Sequence, residues 1–180
     1  MKRVFVVFIL VLCVLSSAFA GDHQHISLSF GHQAWMSNKS GIDVFYGINL
    51  GLGRRSEMSV WGESQLTPSF FGQNAMGIGF SYALLGDIST ASQVAGVGMN
   101  TLINAGIIFT ENNPWSYFIP TDVYISITPI SIGNPVSAKR ERVLEMGVTY
   151  NWFENRFGFM FSLMKFDYYL RGSYRDYEIL

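Results

Sequence analysis

The chain has 180 residues, 49% of them hydrophobic and 16% aromatic, with 12 Lys and Arg against 13 Asp and Glu. That length suits one domain with one core or one barrel, and the near-neutral charge excludes the basic footprint that nucleic-acid binding requires. A single cysteine excludes an internal disulfide.

Residues 1–20 read as a secretory signal peptide. Met1-Lys2-Arg3 is a charged start, Val4 to Leu15 an apolar block, and Ala18-Phe19-Ala20 a small-residue cleavage site before Gly21. Cleavage after Ala20 leaves one domain, 21–180. It takes the formal charge from −1 to −3 and removes Cys13. Cys13 follows Leu12 in the middle of the apolar block, where a lipidation site would have a small residue before the cysteine. After Ala20 no run of about 18 apolar residues suggests a spanning helix. The nearest, Val94 to Phe109, is interrupted by Asn100 and Asn104 and weakened by Gly96, Gly98 and Gly106.

From Ile26 onward the chain alternates with period two, the pattern of strands with two unlike faces. The first run carries Ile26, Leu28, Phe30, Ala34 and Met36 on one face. The second carries Ile42, Val44, Tyr46, Ile48, Leu50 and Leu52, against Asp43, Phe45, Gly47, Asn49 and Gly51. The third sets Met58 and Val60 against Arg55, Glu57, Ser59, Trp61, Glu63 and Gln65. The fourth sets Met76, Ile78, Phe80, Tyr82 and Leu84 against Gly77, Gly79, Ser81 and Ala83. The fifth, 94–110, sets Met99, Ile103, Ala105, Ile107 and Phe109 against Asn100, Leu102, Asn104 and Gly106. The sixth sets Val123, Ile125 and Ile127 against Tyr124, Ser126 and Thr128. The seventh sets Leu144, Met146, Val148, Tyr150 and Trp152 against Glu145, Gly147, Thr149 and Asn151. The eighth sets Phe157, Phe159, Phe161 and Leu163 against Gly158, Met160, Ser162 and Met164.

Turn-forming segments separate these runs, among them Asn38-Lys39-Ser40-Gly41, Gly53-Arg54, Gly86-Asp87, Asn112-Asn113-Pro114, Gly133-Asn134-Pro135 and Glu154-Asn155. Several runs reach about ten residues, the length a tilted strand needs to cross a bilayer, where soluble strands stop at about five or six. The expected fold is all-β: eight antiparallel strands in an up-and-down transmembrane barrel after a cleaved signal peptide.

Alternation leaves open which face is outside. In a soluble barrel the apolar face points in; in a membrane barrel it points at lipid and polar side chains line the lumen. The polar face here carries Asp43, Asn49, Arg55, Glu57, Glu63, Asn100, Asn104, Glu145, Asn151 and Arg156, the candidate lumen residues. Buried charges need partners. Glu57, Glu63 and Glu145 are therefore expected to meet Arg55, Arg156 or another lumen donor. With both termini at the periplasmic end, Trp35, Tyr46, Trp115, Tyr117, Tyr150, Trp152 and Phe157 fall near the outer strand ends, and Tyr168 and Tyr169 near the inner end. That distribution suits two aromatic girdles at the membrane interfaces.

On these features the chain from Gly21 to Leu170 resembles the small eight-stranded outer-membrane barrels of the OmpA, OmpX and OmpW type, and the Gly- and aromatic-rich small barrels of spirochaetes. Arg156-x-Gly158-x-x-Phe161-x-Leu163 is similar to the last-strand signal read by the barrel assembly machinery. Many such proteins end on Phe or Trp, whereas this chain continues from Arg171 to Leu180. The resemblance implies a monomer in the outer membrane of a diderm bacterium, with lipid and the assembly machinery as partners. It further implies a structural role or passive passage of a small solute through a narrow lumen.

Chemical motifs are sparse. His23 and His25 share a strand face but have no second cluster to complete a metal site. A lipid-modifying hydrolase would need His32 with a serine such as Ser37 or Ser64 and a carboxylate such as Asp43, and the chain has no Gly-x-Ser-x-Gly. No catalytic group, metal or cofactor is expected. The alternative reading is a secreted, lipocalin-like barrel that binds an apolar ligand. Phe70 and Phe71 are candidates for a lipid or partner contact.

Overall fold

The computed structural model describes residues 25–36, 41–53, 55–65, 75–86, 88, 98–110, 119–134 and 139–171. The expected signal peptide, His23, Ser37, Phe70, Phe71, Trp115 and Tyr117 lie outside them, as do the side chains of Trp35 and Arg171.

Eight strands occur in chain order: β1 Ile26–Met36, β2 Gly41–Gly51, β3 Ser56–Gln65, β4 Ala75–Leu85, β5 Gly98–Thr110, β6 Asp122–Asn134, β7 Lys139–Asn151 and β8 Arg156–Arg171. Each pairs antiparallel with the next, and β8 pairs back with β1, so the sheet closes into an up-and-down barrel. Closure removes the edges that an open sheet would expose. The residues at these positions suit strands because β-branched and aromatic side chains alternate with small or polar ones.

The first five strands keep the phase that the alternation predicts. Three run beyond the predicted ends: β6 to Asn134, β7 back to Lys139 and β8 on to Arg171. Their alternation slips there by one residue. Thr128 and Ser131 on β6, Arg142 and Glu145 on β7, and Ser162 and Lys165 on β8 are all buried, three positions apart instead of two. The slip is one band across neighbouring strands. It enters at an irregularity between Asn100 and Leu102 of β5 and leaves at one between Gly31 and Ala34 of β1. Pro129 sits in this band, where a missing ladder donor costs little, and its carbonyl accepts a bond from Thr101 Oγ1 at 2.8 Å. Leu144 lies in the same band with φ of 61°, a left-handed conformation that bulges impose on a bulky side chain at a cost.

Two turns at opposite ends of the barrel are closed by their own side chains. Between β2 and β3, Leu52 N donates to Ser56 O and Ser56 Oγ donates to Leu52 O, both at 2.8 Å. Between β7 and β8, Glu154 N donates to Asn151 Oδ1 and Tyr150 Oη to Asn155 Oδ1, both at 2.8 Å.

The barrel is inverted in polarity relative to a soluble protein. Large apolar side chains stand outward on seven of the eight strands, including Phe30, Ile48, Phe80, Met99, Ile125, Val148 and Phe159, with Ile48 44% and Ile125 49% exposed, while β3 has only the half-buried Met58 and Val60 on that face. The buried side chains include Glu57, Glu63, Arg140, Arg142, Glu145, Lys165 and Asp167.

Candidate functional site

The barrel interior is built in layers. The charged layers begin at the end where β1 starts and β8 finishes. Arg140 on β7 donates from Nε to Asp167 Oδ2 at 2.7 Å and from Nη2 to both oxygens of Glu57, at 2.8 and 2.9 Å. His25 Nε2 meets Glu57 Oε2 at 3.1 Å, and the Tyr169 ring packs edge-on to His25 with centroids 5.2 Å apart. Arg142 donates to Asp167 Oδ1 at 2.9 Å and to Ser29 Oγ at 3.2 Å. Asn49 Nδ2 donates to Ser29 Oγ at 2.6 Å and to Asp167 Oδ1 at 3.2 Å. Asp167 thereby gathers side chains from β1, β2 and β7 around the last strand.

A second group lies further along the axis. Lys165 Nζ donates to Glu145 Oε2 and Gln33 Oε1, both at 2.7 Å. Glu145 Oε1 accepts from Ser126 Oγ at 2.6 Å and from Asn104 Nδ2 at 3.2 Å. Glu57, Glu145 and Asp167 thus pair with Arg140, Arg142 and Lys165, and Asp43 and Glu63 are buried in the same interior. The pairing matters because an unpaired buried charge costs several kcal/mol.

Beyond the ion pairs lies an apolar layer of Phe45, Trp61, Ile108, Tyr124 and Met160. The Lys165 ammonium sits 4.0 Å from the Phe45 ring centroid, which joins this layer to the charged one. Phe45 and Tyr124 flank Trp61 at 5.7 and 6.0 Å between centroids. Gly77 makes room for this layer, since a Cβ there would collide with the Trp61 indole. A cavity of about 10 Å3, as traced by the centre of a water-sized sphere, separates the layers among Gln33, Asn104, Arg142 and Lys165. That is about the space of one water molecule.

Seven of the ten candidate lumen residues are buried: Asp43, Asn49, Glu57, Glu63, Asn100, Asn104 and Glu145. Three are not. Arg55 is exposed on the β2–β3 turn. Arg156 pairs with Glu154 in the exposed β7–β8 turn. Asn151 stands at the rim and donates to Asp122 Oδ2 at 3.2 Å. All three belong to strand ends, where alternation continues past the point at which the barrel encloses side chains. Of the donors expected for the glutamates, two are lumen cations other than Arg55 and Arg156: Glu57 takes Arg140, and Glu145 takes Lys165.

Among the aromatics, Tyr150 and Phe157 stack at 4.9 Å beside the β7–β8 turn, and Trp152 is exposed there. Tyr168 faces outward near the opposite end and packs against Phe30 at 6.4 Å. Tyr46 faces outward but stands halfway along β2 instead of at its end. Tyr169, expected in the inner girdle, is buried inside the barrel because the slip in β8 reverses its face.

Sequence alternation alone missed Arg140, Arg142, Lys165 and Asp167, and left His25 as part of a polar N-terminus. A signal for them exists. Lys165, Asp167 and Tyr169 alternate with Phe166, Tyr168 and Leu170, a continuing strand of opposite parity. The hydrolase candidates His32 and Asp43 lie on opposite faces of the wall, His32 reaching the exposed backbone of Leu163 and Asp43 buried inside. The last-strand motif from Arg156 to Leu163 occupies the first half of β8, not its end.

No protein-family model, curated protein or solved structure matches this chain.

Proposed function

We propose that this chain is an outer-membrane β-barrel protein of a diderm bacterium, exported by a signal peptide at residues 1–20, and that its role is structural, as a closed membrane-spanning wall. The observation that carries this reading is the inverted polarity. Exposed apolar side chains face out on seven of the eight strands, with Met58 and Val60 half-buried on β3, while six paired charges lie inside. In water, an outer surface of that kind drives association. In a bilayer it is the favoured surface, and the closed hydrogen-bonded wall leaves no backbone edge facing lipid.

Packing of the lumen favours the structural role over solute passage. A solute moving along the axis would have to separate Arg140 from Glu57 and displace Trp61, and an eight-stranded barrel is narrow enough for side chains to fill. The soluble, lipocalin-like alternative is disfavoured by the same interior, since ion pairs and amides offer an apolar ligand nothing to replace its own desolvation. Lipid and, during biogenesis, the assembly machinery are the partners this reading implies.

The test is extraction and gel mobility, followed by conductance. The protein should need detergent, and its band should shift on heating in SDS. Reconstituted in a planar bilayer, it should show no steady open-pore current. A water-soluble monomer that binds apolar dyes would overturn the membrane assignment, and a stable current would overturn the closed wall.

A further inference from the structure

The seam where β1 meets β8 closes the barrel, and its ladder breaks between Gly31 and Ala34 on β1, opposite Lys165 and Phe161 on β8. One residue bridges the break from both faces. The Leu163 N–H donates to His32 Nε2 at 3.0 Å on the outer face. The Ser162 hydroxyl donates to the His32 carbonyl at 2.6 Å from the inner face. Ser162 is buried and Leu163 is exposed. The imidazole therefore belongs to the apolar surface, with Phe30 and Ala34 beside it on β1 and Val44 as its partner on β2. A polar ring is costly there unless it satisfies a backbone group that lipid cannot. The Leu163 N–H is that group.

An imidazole nitrogen accepts a hydrogen bond only while it carries no proton. Once both ring nitrogens are protonated, a ring N–H faces the Leu163 N–H, donor against donor. We propose that His32 is a proton-sensitive clasp on the β1–β8 seam: neutral, it completes the wall at the break; protonated, it releases it. The outer face supplies no carboxylate to hold the imidazolium among the described residues of β1, β2 and β8. Its titratable groups are the phenols of Tyr46 and Tyr168. Asp43 on β2, Lys165 on β8 and Glu145 on β7 are buried across the wall, the last two paired with each other.

The clasp rests on the membrane reading for its size, because water would otherwise replace the lost bond. The test therefore uses the protein folded in phospholipid micelles, with membrane insertion checked separately by the heat-shifted band. Backbone amide exchange at Leu163, corrected for its intrinsic pH dependence, is followed from pH 8 to pH 5. The expected result is a rise of about tenfold at pH 5 relative to the amides of Phe159 and Tyr168. In His32→Gln, whose carboxamide oxygen accepts at either pH, the rise should vanish. His32→Leu should exchange fast at both. Equal protection of the Leu163 amide at both pH values in the wild type would overturn the clasp, as would a pH 5 rise that persists in His32→Gln. The wild-type titration decides the matter even where a variant does not fold.

Discussion

Arg140 and Glu57 stand on β7 and β3, diametrically opposite strands of an eight-stranded barrel, and meet at 2.8 and 2.9 Å through the middle of the lumen. Neither side chain is reached by solvent. The pair is a cross-brace, since neither partner finds the other until the sheet has curled and closed. It is reinforced at Asp167, which brings the last strand to the same guanidinium.

Breaking the brace on one side should cost more than removing it whole. Glu57→Leu or Arg140→Met alone leaves a buried charge without its main partner, Arg140 keeping only Asp167 or Glu57 keeping only His25, at up to about 3–5 kcal/mol. The double variant should recover part of that loss, limited by Asp167 and His25, which each lose a partner. Urea unfolding of the three variants in lipid vesicles, read as a double-mutant cycle, measures the coupling. Strict additivity would show that the two groups do not interact in the folded protein.

The outer face should reject charge in a depth-dependent way. Ile48→Arg and Ile125→Arg, outward within β2 and β6 and clear of the strand ends, should each destabilise by up to about 2–4 kcal/mol. Phe157→Arg, beside the β7–β8 turn, should cost about 0–1 kcal/mol. Unfolding in vesicles reads all three, and equal stability of Ile48→Arg and wild type would reverse the inside–outside assignment.

Trp61 and Gly77 are matched in volume. Trp61→Ala should cost about 3–5 kcal/mol through the cavity it leaves in the apolar layer. Gly77→Val should cost about 1–3 kcal/mol by pushing the indole out of place. Tryptophan fluorescence reports the second directly, as a red shift if the ring becomes hydrated.

Arg156 is a control for position. Its partner Glu154 is exposed in the same turn, and the pair is screened by solvent. Arg156→Ala should change stability by less than about 1 kcal/mol. Raising salt from about 0.1 to 1 M, which shortens the Debye length from about 10 to 3 Å, should leave the Arg140–Glu57 coupling nearly unchanged.

Much of the wall was legible because period-two alternation depends only on neighbours in the chain. Ile42, Val44, Tyr46 and Ile48 follow one another on one face whatever β2 pairs with. The glycines opposite them marked the crowded side, and seven of ten polar residues on that side are buried. Arg55 and Arg156 were misread because alternation carries no information about where enclosure ends. Lys165 and Asp167 were missed, and Tyr169 was put on the wrong face, because a parity change within a strand looks like the end of one.

The sequence by itself determined the eight strands and the two unlike faces of each, since these follow from side-chain direction along an extended chain. Only the tertiary structure decided which charges meet. Arg140 reaches Glu57 across the lumen, and Asp167 collects Ser29, Asn49, Arg140 and Arg142. Those partners are set by the stagger with which β8 returns to β1 and by the slip across β6, β7 and β8 that turns Arg140, Arg142, Lys165 and Asp167 inward. Both are properties of closing a sheet into a ring, and no single strand carries them.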